Sequence, residues 1–190
     1  MSRVSSRFVI QATSLSGLNV VERKLLGDSR GYLERMFCTE ELRSVFGERS
    51  ILQINHTLTQ TKGTVRGMHF QYAPHAEMKL VSCLRGLVFD VAVDLRKGSP
   101  TFLHWHAELL NGENHKTLVI PEGFAHGFQT LTDDCEMLYL HTAAYAPDAA
   151  AGLNPKDLRL AIAWPLPITE MSLRDAAHLP IVADFEGIKL

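Results

Sequence analysis

The stretch GTVRGMHFQYAPHAEMKLVSCLRG, residues 63–86, predicts two β-strands joined by a loop. Glycines at its ends mark turns, and apolar residues are interleaved with polar ones along both segments. The pattern places Arg66, His69 and Lys79 at the edge of a packed interior. An imidazole near two cations is suited to removing a proton and stabilising the resulting anion. The stretch therefore indicates both β-structure and general-base chemistry.

Arg66 and His69 pose a geometric problem within the first of these strands. Side chains alternate along a strand, so residues three apart lie on opposite faces. The two side chains can share one site only if the strand is bulged, and Gly67 is a suitable residue for a bulge.

Most of the chain outside this stretch also shows the sequence pattern of β-strands. Glycine-marked turns recur about every ten residues and separate eight to ten short strands. The exceptions are a predicted helix over 39–46, with Thr39 as its N-cap, and a short helix or turn over 171–180. The segment 87–95 is predicted to be half-buried, and 121–128 to be a tight loop around His126. The pattern favours an all-β sandwich or barrel of the jelly-roll type.

The composition and charge of the chain limit the classes of function that it can have. The chain has 190 residues, 19 basic and 21 acidic side chains and 46% hydrophobic residues, so we expect a single domain over 1–190. The balanced charge argues against a nucleic-acid partner. The first fifteen residues lack the apolar core of a signal peptide, and no apolar run is long enough to span a bilayer, so we expect no membrane partner and a cytoplasmic location.

The three cysteines, Cys38, Cys83 and Cys135, lack the CxxC spacing of a zinc or redox site and are interpreted as small buried residues. An HxH pair, His104 and His106, invites a metal interpretation, but no third ligand follows at a plausible spacing.

Several polar residues admit two interpretations. Gln53 and Asn55 share one face of the segment 51–58, which could line a cavity; by themselves they favour the solvated side of a strand. Tyr139, on a common face with Met137 and His141, is more typical of a core residue with a satisfied hydroxyl. Arg30 lies in a Gly- and Asp-rich turn and is equally consistent with a solvated loop arginine.

Longer motifs resemble a known family. PEGFAH, residues 121–126, fits the PxGxxH signature of the second cupin motif. Together with the runs 63–71, 79–102 and 120–133, in that order, it resembles the nucleotide-sugar 3,5-epimerases typified by dTDP-4-dehydrorhamnose 3,5-epimerase. The resemblance extends from about Gly27 to Asp175.

The resemblance implies a cupin jelly roll, a double-stranded β-helix with one or two short helices, that uses neither metal nor cofactor. In agreement, the first cupin motif here contains His69, Phe70 and Gln71 instead of the HxH of metal-binding cupins. The implied substrate is a nucleotide-linked 4-keto-6-deoxyhexose, with TDP the expected nucleotide. A homodimer is also implied, and we expect the N-terminal strands, about 1–24, at its interface. Separately, the prolines beyond Ala143 predict an irregular or helical C-terminal segment, about 143–190.

The resemblance also assigns roles. His69 matches the proton-abstracting base and Asp175 the carboxylate paired with it, while Lys79 matches the residue that stabilises the enolate. Tyr139 matches the acid on the opposite face. Tyr145 matches the residue that stacks on the nucleotide base, and Arg30 the residue that the neighbouring subunit contributes. The matched substrate-binding positions are Arg30, Gln53, Asn55, Arg66, His126, Tyr145 and Arg174.

Three departures from the family pattern lie near the expected nucleotide and sugar. Ala151 stands before Gly152, where the family usually has an acid. The family's glutamate is displaced here, with Glu34 followed by Arg35. Arg174 stands where lysine is common. The open alternatives are a 3- or 5-only epimerase, a ketoisomerase of a related nucleotide sugar, and a non-catalytic sugar-nucleotide-binding cupin. CDP or GDP also remains open as the nucleotide.

Overall fold

Fourteen strands and two one-turn helices make up the part of the chain that the computed structural model describes, residues 6–190. In chain order they are β1 Phe8–Ala12, β2 Asn19–Arg23, β3 Leu26–Asp28, β4 Gly31–Leu33, α1 Arg43–Phe46, β5 Gln53–Thr59, β6 Thr64–Gln71, β7 Lys79–Arg85, β8 Leu87–Asp94, β9 Trp105–Asn111, β10 Lys116–Ile120, β11 Phe124–Thr130, β12 Cys135–His141, β13 Ala150–Gly152, β14 Glu170–Met171 and α2 Leu173–Ala176.

Two large sheets form the body of the protein. The first has the strand order β1-β2-β10-β7-β12-β5, and the second has the order β13-β6-β11-β8-β9, with β14 pairing in parallel beside β6. All other pairs in the two sheets are antiparallel. Strands distant in sequence are neighbours, as in a jelly roll. The predicted cupin-type fold with one or two short helices is confirmed.

Three apolar clusters stabilise this arrangement. The central cluster joins facing residues of both sheets, including Val81 and Leu118 from the first and Val88 and Phe128 from the second. A second cluster packs the outer face of the second sheet against the C-terminal segment, and a third packs the first sheet against the region of α1. Each sheet is thus covered on both faces over much of its area.

The prediction that 87–95 is half-buried was wrong, because the second sheet is covered on both faces there. Strand β8 is buried over nearly its whole length, because Trp164 and Ile162 of the C-terminal segment lie in the same cluster as Val91 and Val93. Asp90, opposite the apolar face, is completely buried inside the barrel.

Other local predictions were partly wrong. The helix over 39–46 is limited to Arg43–Phe46, preceded by turns, and its N-cap is Leu42 rather than Thr39. The Gly- and Asp-rich turn that contains Arg30 joins the two strands of a hairpin, β3–β4, whereas His126 lies in strand β11 rather than in a loop. The N-terminal strands are present as β1 and β2, whereas residues 1–5 of the predicted segment lie outside the described residues.

The bulge expected at Gly67 is present. Strand β11 pairs with β6 at His126↔His69 and at Phe128↔Arg66, so β6 has one extra residue between these two positions. Gly67 has φ +142, and a Cβ there would lie 2.5 Å from the Cα of Gly127. Only glycine meets both demands. The extra residue brings Arg66 and His69 to the same cavity.

Neither helix in residues 6–190 is long enough to cross a membrane.

Candidate active site

A cavity of about 650 Å³ opens between the two sheets, and a second one of about 520 Å³ adjoins it. Asn55, His69, Lys79, His141 and Arg174 line both. All of the sequence-predicted site residues except Arg30 line one or both cavities. The cavity between the sheets thus gathers residues separated by more than one hundred positions in sequence.

His69 and Asp175 form the central pair of the site. The Nε2 atom of His69 lies 2.7 Å from Oδ1 of Asp175, and the backbone N–H of Gly67 donates to Oδ2 at 3.2 Å. Strand β14 pairs with β6 and therefore anchors α2 beside His69. Ser172, the N-cap of α2, accepts the backbone N–H of Asp175 at 3.0 Å and fixes the start of that helix.

The environment of Asp175 determines which nitrogen of His69 is free. Burial opposes ionisation of Asp175, but the hydrogen bond and charge of His69 and the Gly67 N–H outweigh it, so the pKa of this carboxyl lies below its usual value. An ionised carboxylate only accepts hydrogen bonds, so Nε2 of His69 carries a hydrogen. In the neutral ring Nδ1 then has a free lone pair, and the side chain is 42% exposed to the cavity.

Lys79 and Tyr139 face the same cavity from β7 and β12. The Nζ of Lys79 donates to the carbonyl of His69 at 3.2 Å, which ties the cation to the strand that carries the imidazole. Burial raises the pKa of the Tyr139 phenol above its ordinary value, so this side chain is protonated at neutral pH. Tyr139 also packs against the central apolar cluster, so it combines the two interpretations left open by the sequence.

Arg66 and His126 form one end of the cavity. The guanidinium of Arg66 donates from Nε to Thr59 Oγ1 at 2.8 Å and from Nη2 to the carbonyl of Leu58 at 3.3 Å. Arginine has five N–H donors, so three remain for an anionic ligand. His126 is almost entirely buried, and its Nε2 lies 3.1 and 3.0 Å from the two oxygens of Asp90.

Gln53, Asn55, Tyr145 and Arg174 line the adjoining cavity. The preference for a solvated face at Gln53 and Asn55 was wrong, because their face of β5 points into the cavity and the opposite face exposes Ile54. Gln53 Oε1 accepts the backbone N–H of Tyr145 at 3.0 Å. The Tyr145 side chain is exposed, as a platform for an aromatic ligand must be.

Arg30 lies outside both cavities, at the tip of the β3–β4 hairpin. It forms an ion pair with Asp28, and its side chain is 87% exposed. Glu34, near the displaced family position, is paired with Arg23 at 2.6 Å and His115 at 3.0 Å.

Two residues at the site were missed in the sequence predictions, Glu77 and His141. His141 Nδ1 lies 2.8 Å from Glu77 Oε2, and Lys79 Nζ lies 3.2 Å from Glu77 Oε1. The available signal was alternation, because His141 shares the face of Tyr139 and Glu77 precedes Lys79 by two residues.

Residues 6–190 contain no cluster of three His, Cys, Asp or Glu side chains with the geometry for a metal. In the HxH pair, Nε2 of His106 lies 3.6 Å from Oε2 of Glu108.

The model of the dTDP-4-dehydrorhamnose 3,5-epimerase family matches residues 12–183. The chain belongs to this family. It is 39% identical to the dTDP-4-dehydrorhamnose 3,5-epimerase of Salmonella typhimurium over 89% of this chain and 93% of that protein.

Solved structures give the same relationship. The dTDP-6-deoxy-D-glucose-3,5-epimerase RmlC of Legionella pneumophila, in complex with dTDP-4-keto-L-rhamnose, is 38% identical with a TM-score of 0.85, covering 90% of this chain and 91% of that one. ChmJ, a 3'-monoepimerase of Streptomyces bikiniensis in complex with dTDP-quinovose, is 31% identical with a TM-score of 0.76, covering 93% of this chain and 84% of that one. The family fold therefore accommodates enzymes that differ in the carbons they invert.

Proposed function

We propose that this protein, an isomerase of the epimerase class, inverts carbon beside the C4 ketone of a nucleotide-linked 4-keto-6-deoxyhexose in deoxysugar biosynthesis. The observation that carries this proposal is the His69–Asp175 pair, whose free imidazole nitrogen faces a cavity that also contains Lys79 and Tyr139. Such a set supplies a base, a cation and an acid within one site.

The reaction begins at Nδ1 of His69. This nitrogen takes the hydrogen from the carbon next to the ketone, and the ring becomes positively charged. Asp175 stabilises that charge through the Nε2–H hydrogen bond. As the proton leaves, negative charge develops on the ketone oxygen, and the ammonium group of Lys79 stabilises it.

Inversion requires a proton from the opposite face. Tyr139 lies on β12 of the first sheet, whereas His69 lies on β6 of the second, so the two groups approach the cavity from different sheets. The protonated phenol of Tyr139 donates to the carbon, and the proton on His69 returns to solvent or to the phenolate.

The remaining polar residues serve binding. Arg66 has free N–H donors for oxygen atoms of the substrate, and His126 lines the same cavity. Gln53, Asn55 and Arg174 line the other end, where the exposed ring of Tyr145 offers a stacking surface for the nucleotide base. TDP is the expected nucleotide.

The test is incubation of the purified protein with TDP-, CDP- and GDP-linked 4-keto-6-deoxysugars in deuterated water. We expect deuterium to enter at C3, at C5 or at both with the TDP sugar, and proton NMR of the product then shows which carbons are inverted. Migration of the keto group to C3 would favour the ketoisomerase. Tight binding without exchange would favour the non-catalytic cupin and overturn the proposal.

A homodimer in which Arg30 completes the partner's site is part of this proposal. Arg30 is exposed at the end of a hairpin and does not line the cavity of its own chain. Nearby exposed apolar residues, Leu26, Tyr32 and Leu33 of the hairpin, suit burial between two chains.

The dimer is tested by mixing two impaired variants. His69→Ala lacks the base and Arg30→Ala lacks the contributed cation, so a mixed dimer retains one site with both groups. We expect activity to reappear when the variants are unfolded and refolded together. Activity no higher than that of either variant alone would contradict the shared site. The cytoplasmic location stays a prediction.

A further inference from the structure

A directed chain of hydrogen bonds runs through the site beside the proposed catalytic groups. It begins at the backbone N–H of Tyr145, which donates to Gln53 Oε1 at 3.0 Å. The amide Nε2 of Gln53 then donates to Asn55 Oδ1 at 3.2 Å. Because a backbone N–H can only donate, the first contact fixes the orientation of the Gln53 amide, and the second fixes that of Asn55.

The chain continues through His141. The Nδ2 of Asn55 lies 3.4 Å from Nε2 of His141, so this nitrogen must accept, and Nδ1 carries the hydrogen. Nδ1 lies 2.8 Å from Glu77 Oε2. Desolvation opposes ionisation of Glu77, yet the hydrogen bond of His141 and the charge of Lys79 outweigh it and lower the pKa of this carboxyl. An ionised Glu77 accepts from His141 and forms an ion pair with Lys79.

Lys79 ends the chain. Its ammonium group donates to the carbonyl of His69 at 3.2 Å and forms an ion pair with Glu77 Oε1, also at 3.2 Å. Within residues 6–190 no other protein group is a hydrogen-bond partner of this ammonium, and Lys79 lines the cavity. Burial keeps the three side chains in contact with one another, because those of Glu77, Lys79 and His141 are each about nine-tenths removed from solvent.

We propose that Glu77 and His141 are positioning residues for the epimerisation reaction. The ionised Glu77 holds the ammonium of Lys79 so that its remaining N–H points at the ketone oxygen. His141, hydrogenated on Nδ1, orients Glu77 on one side and the Asn55 amide on the other. This inference rests on the proposed function for its kinetic test, but the hydrogen-bond chain itself can be tested without substrate.

The test without substrate is the tautomer of His141. Nitrogen-15 NMR of the uniformly labelled full chain at mildly alkaline pH, with His141→Asn used to assign the resonance, distinguishes the two neutral forms. We expect hydrogen on Nδ1. Hydrogen on Nε2 would break the direction of the chain and overturn the proposal.

The kinetic test compares Glu77→Gln and His141→Phe with a matched pair of controls. His56 of β5 and Glu136 of β12 form another His–Glu pair, at 3.0 Å but outside both cavities. With the 4-keto-6-deoxysugar nucleotide, we expect Glu77→Gln and His141→Phe to lower kcat about tenfold, as loss of one aligned charged contact in the transition state does, with KM changed less than about twofold in Glu77→Gln. Glu136→Gln and His56→Phe should leave both constants unchanged.

A further readout distinguishes positioning from folding. His141→Asn places an amide N–H where Nδ1–H was, so it should restore most of the kcat that His141→Phe loses.

The double variant Glu77→Gln/His141→Phe should lose no more than the larger single loss, because the two residues act through one contact. Rates for Glu77→Gln and His141→Phe equal to those of the controls would overturn the proposal, as would equal losses in His141→Asn and His141→Phe. Absence of exchange in the unmodified protein would instead refute the proposed function.

Discussion

Two aspartate–histidine pairs lie side by side, with both histidines in the second sheet, and they differ in the exposure of the histidine ring. His69 and His126 are register partners on β6 and β11. The ring of His69 is 42% exposed and contacts one oxygen of Asp175, whereas the ring of His126 is 6% exposed and contacts both oxygens of Asp90.

The comparison shows that a carboxylate next to an imidazole does not by itself make a base. Both carboxylates are buried and both fix the ring that they contact. A base also needs a free nitrogen within reach of the substrate carbon, and the exposed ring of His69 meets that need. The buried pair instead holds β8 and β11 together inside the barrel.

The largest difference is expected when each aspartate is made neutral. Asp175→Asn should slow deuterium exchange about a hundredfold or more, because an amide that donates to Nε2 moves the ring hydrogen to Nδ1 and blocks the base. Asp90→Asn can still accept from His126, so exchange should stay within about tenfold, with unfolding free energy reduced by about 1 kcal/mol. Similar rate losses in both variants, measured under saturating substrate, would break the comparison.

A smaller and more selective effect is expected for the acid opposite the open pair. Tyr139→Phe removes the phenol but leaves His69 and Asp175 in place. Exchange with solvent should continue by abstraction and return on one face, while formation of inverted product falls about tenfold or more. Proton NMR measures both quantities in one sample. Tyr72→Phe, outside both cavities, is the control, and parallel loss of exchange and inversion would contradict the division of roles.

The smallest effect concerns stability and pH. The pKa of Asp175 is lowered in the folded protein, so its ionised form stabilises the fold above the ordinary carboxyl pKa of about 4, and this contribution is lost as pH falls through the folded value. Asp175→Asn should therefore be less stable than the unmodified protein at neutral pH, and the difference should shrink below about pH 4. Urea unfolding at a series of pH values measures it. A difference that grows toward low pH would contradict the assignment.

Local patterns in the sequence predicted much of this arrangement. Alternation predicted the strands, and it showed that Arg66 and His69 can share a site only if the strand is bulged, with Gly67 as the suitable residue. The roles assigned to His69, Lys79, Tyr139 and Asp175 came from resemblance to a family, and the structure brings these four residues to one cavity.

Long-range packing explains what alternation could not predict. A polar strand face points to solvent unless another sheet covers it, so Gln53 and Asn55 were assigned to the wrong side. Likewise, nothing within 87–95 indicates that Trp164 and Ile162 cover its outer face. Glu77 was overlooked because its partner His141 is 64 residues away in sequence.

The most direct test of the open pair is deuterium incorporation by His69→Ala in the presence of a TDP-4-keto-6-deoxysugar, with binding of TDP measured on the same preparation. The account predicts that exchange at C3 and C5 is abolished, that TDP binding stays near that of the unmodified protein, and that His126→Ala retains exchange if it folds. Exchange at an unchanged rate in His69→Ala would contradict the claim that the open imidazole is the base.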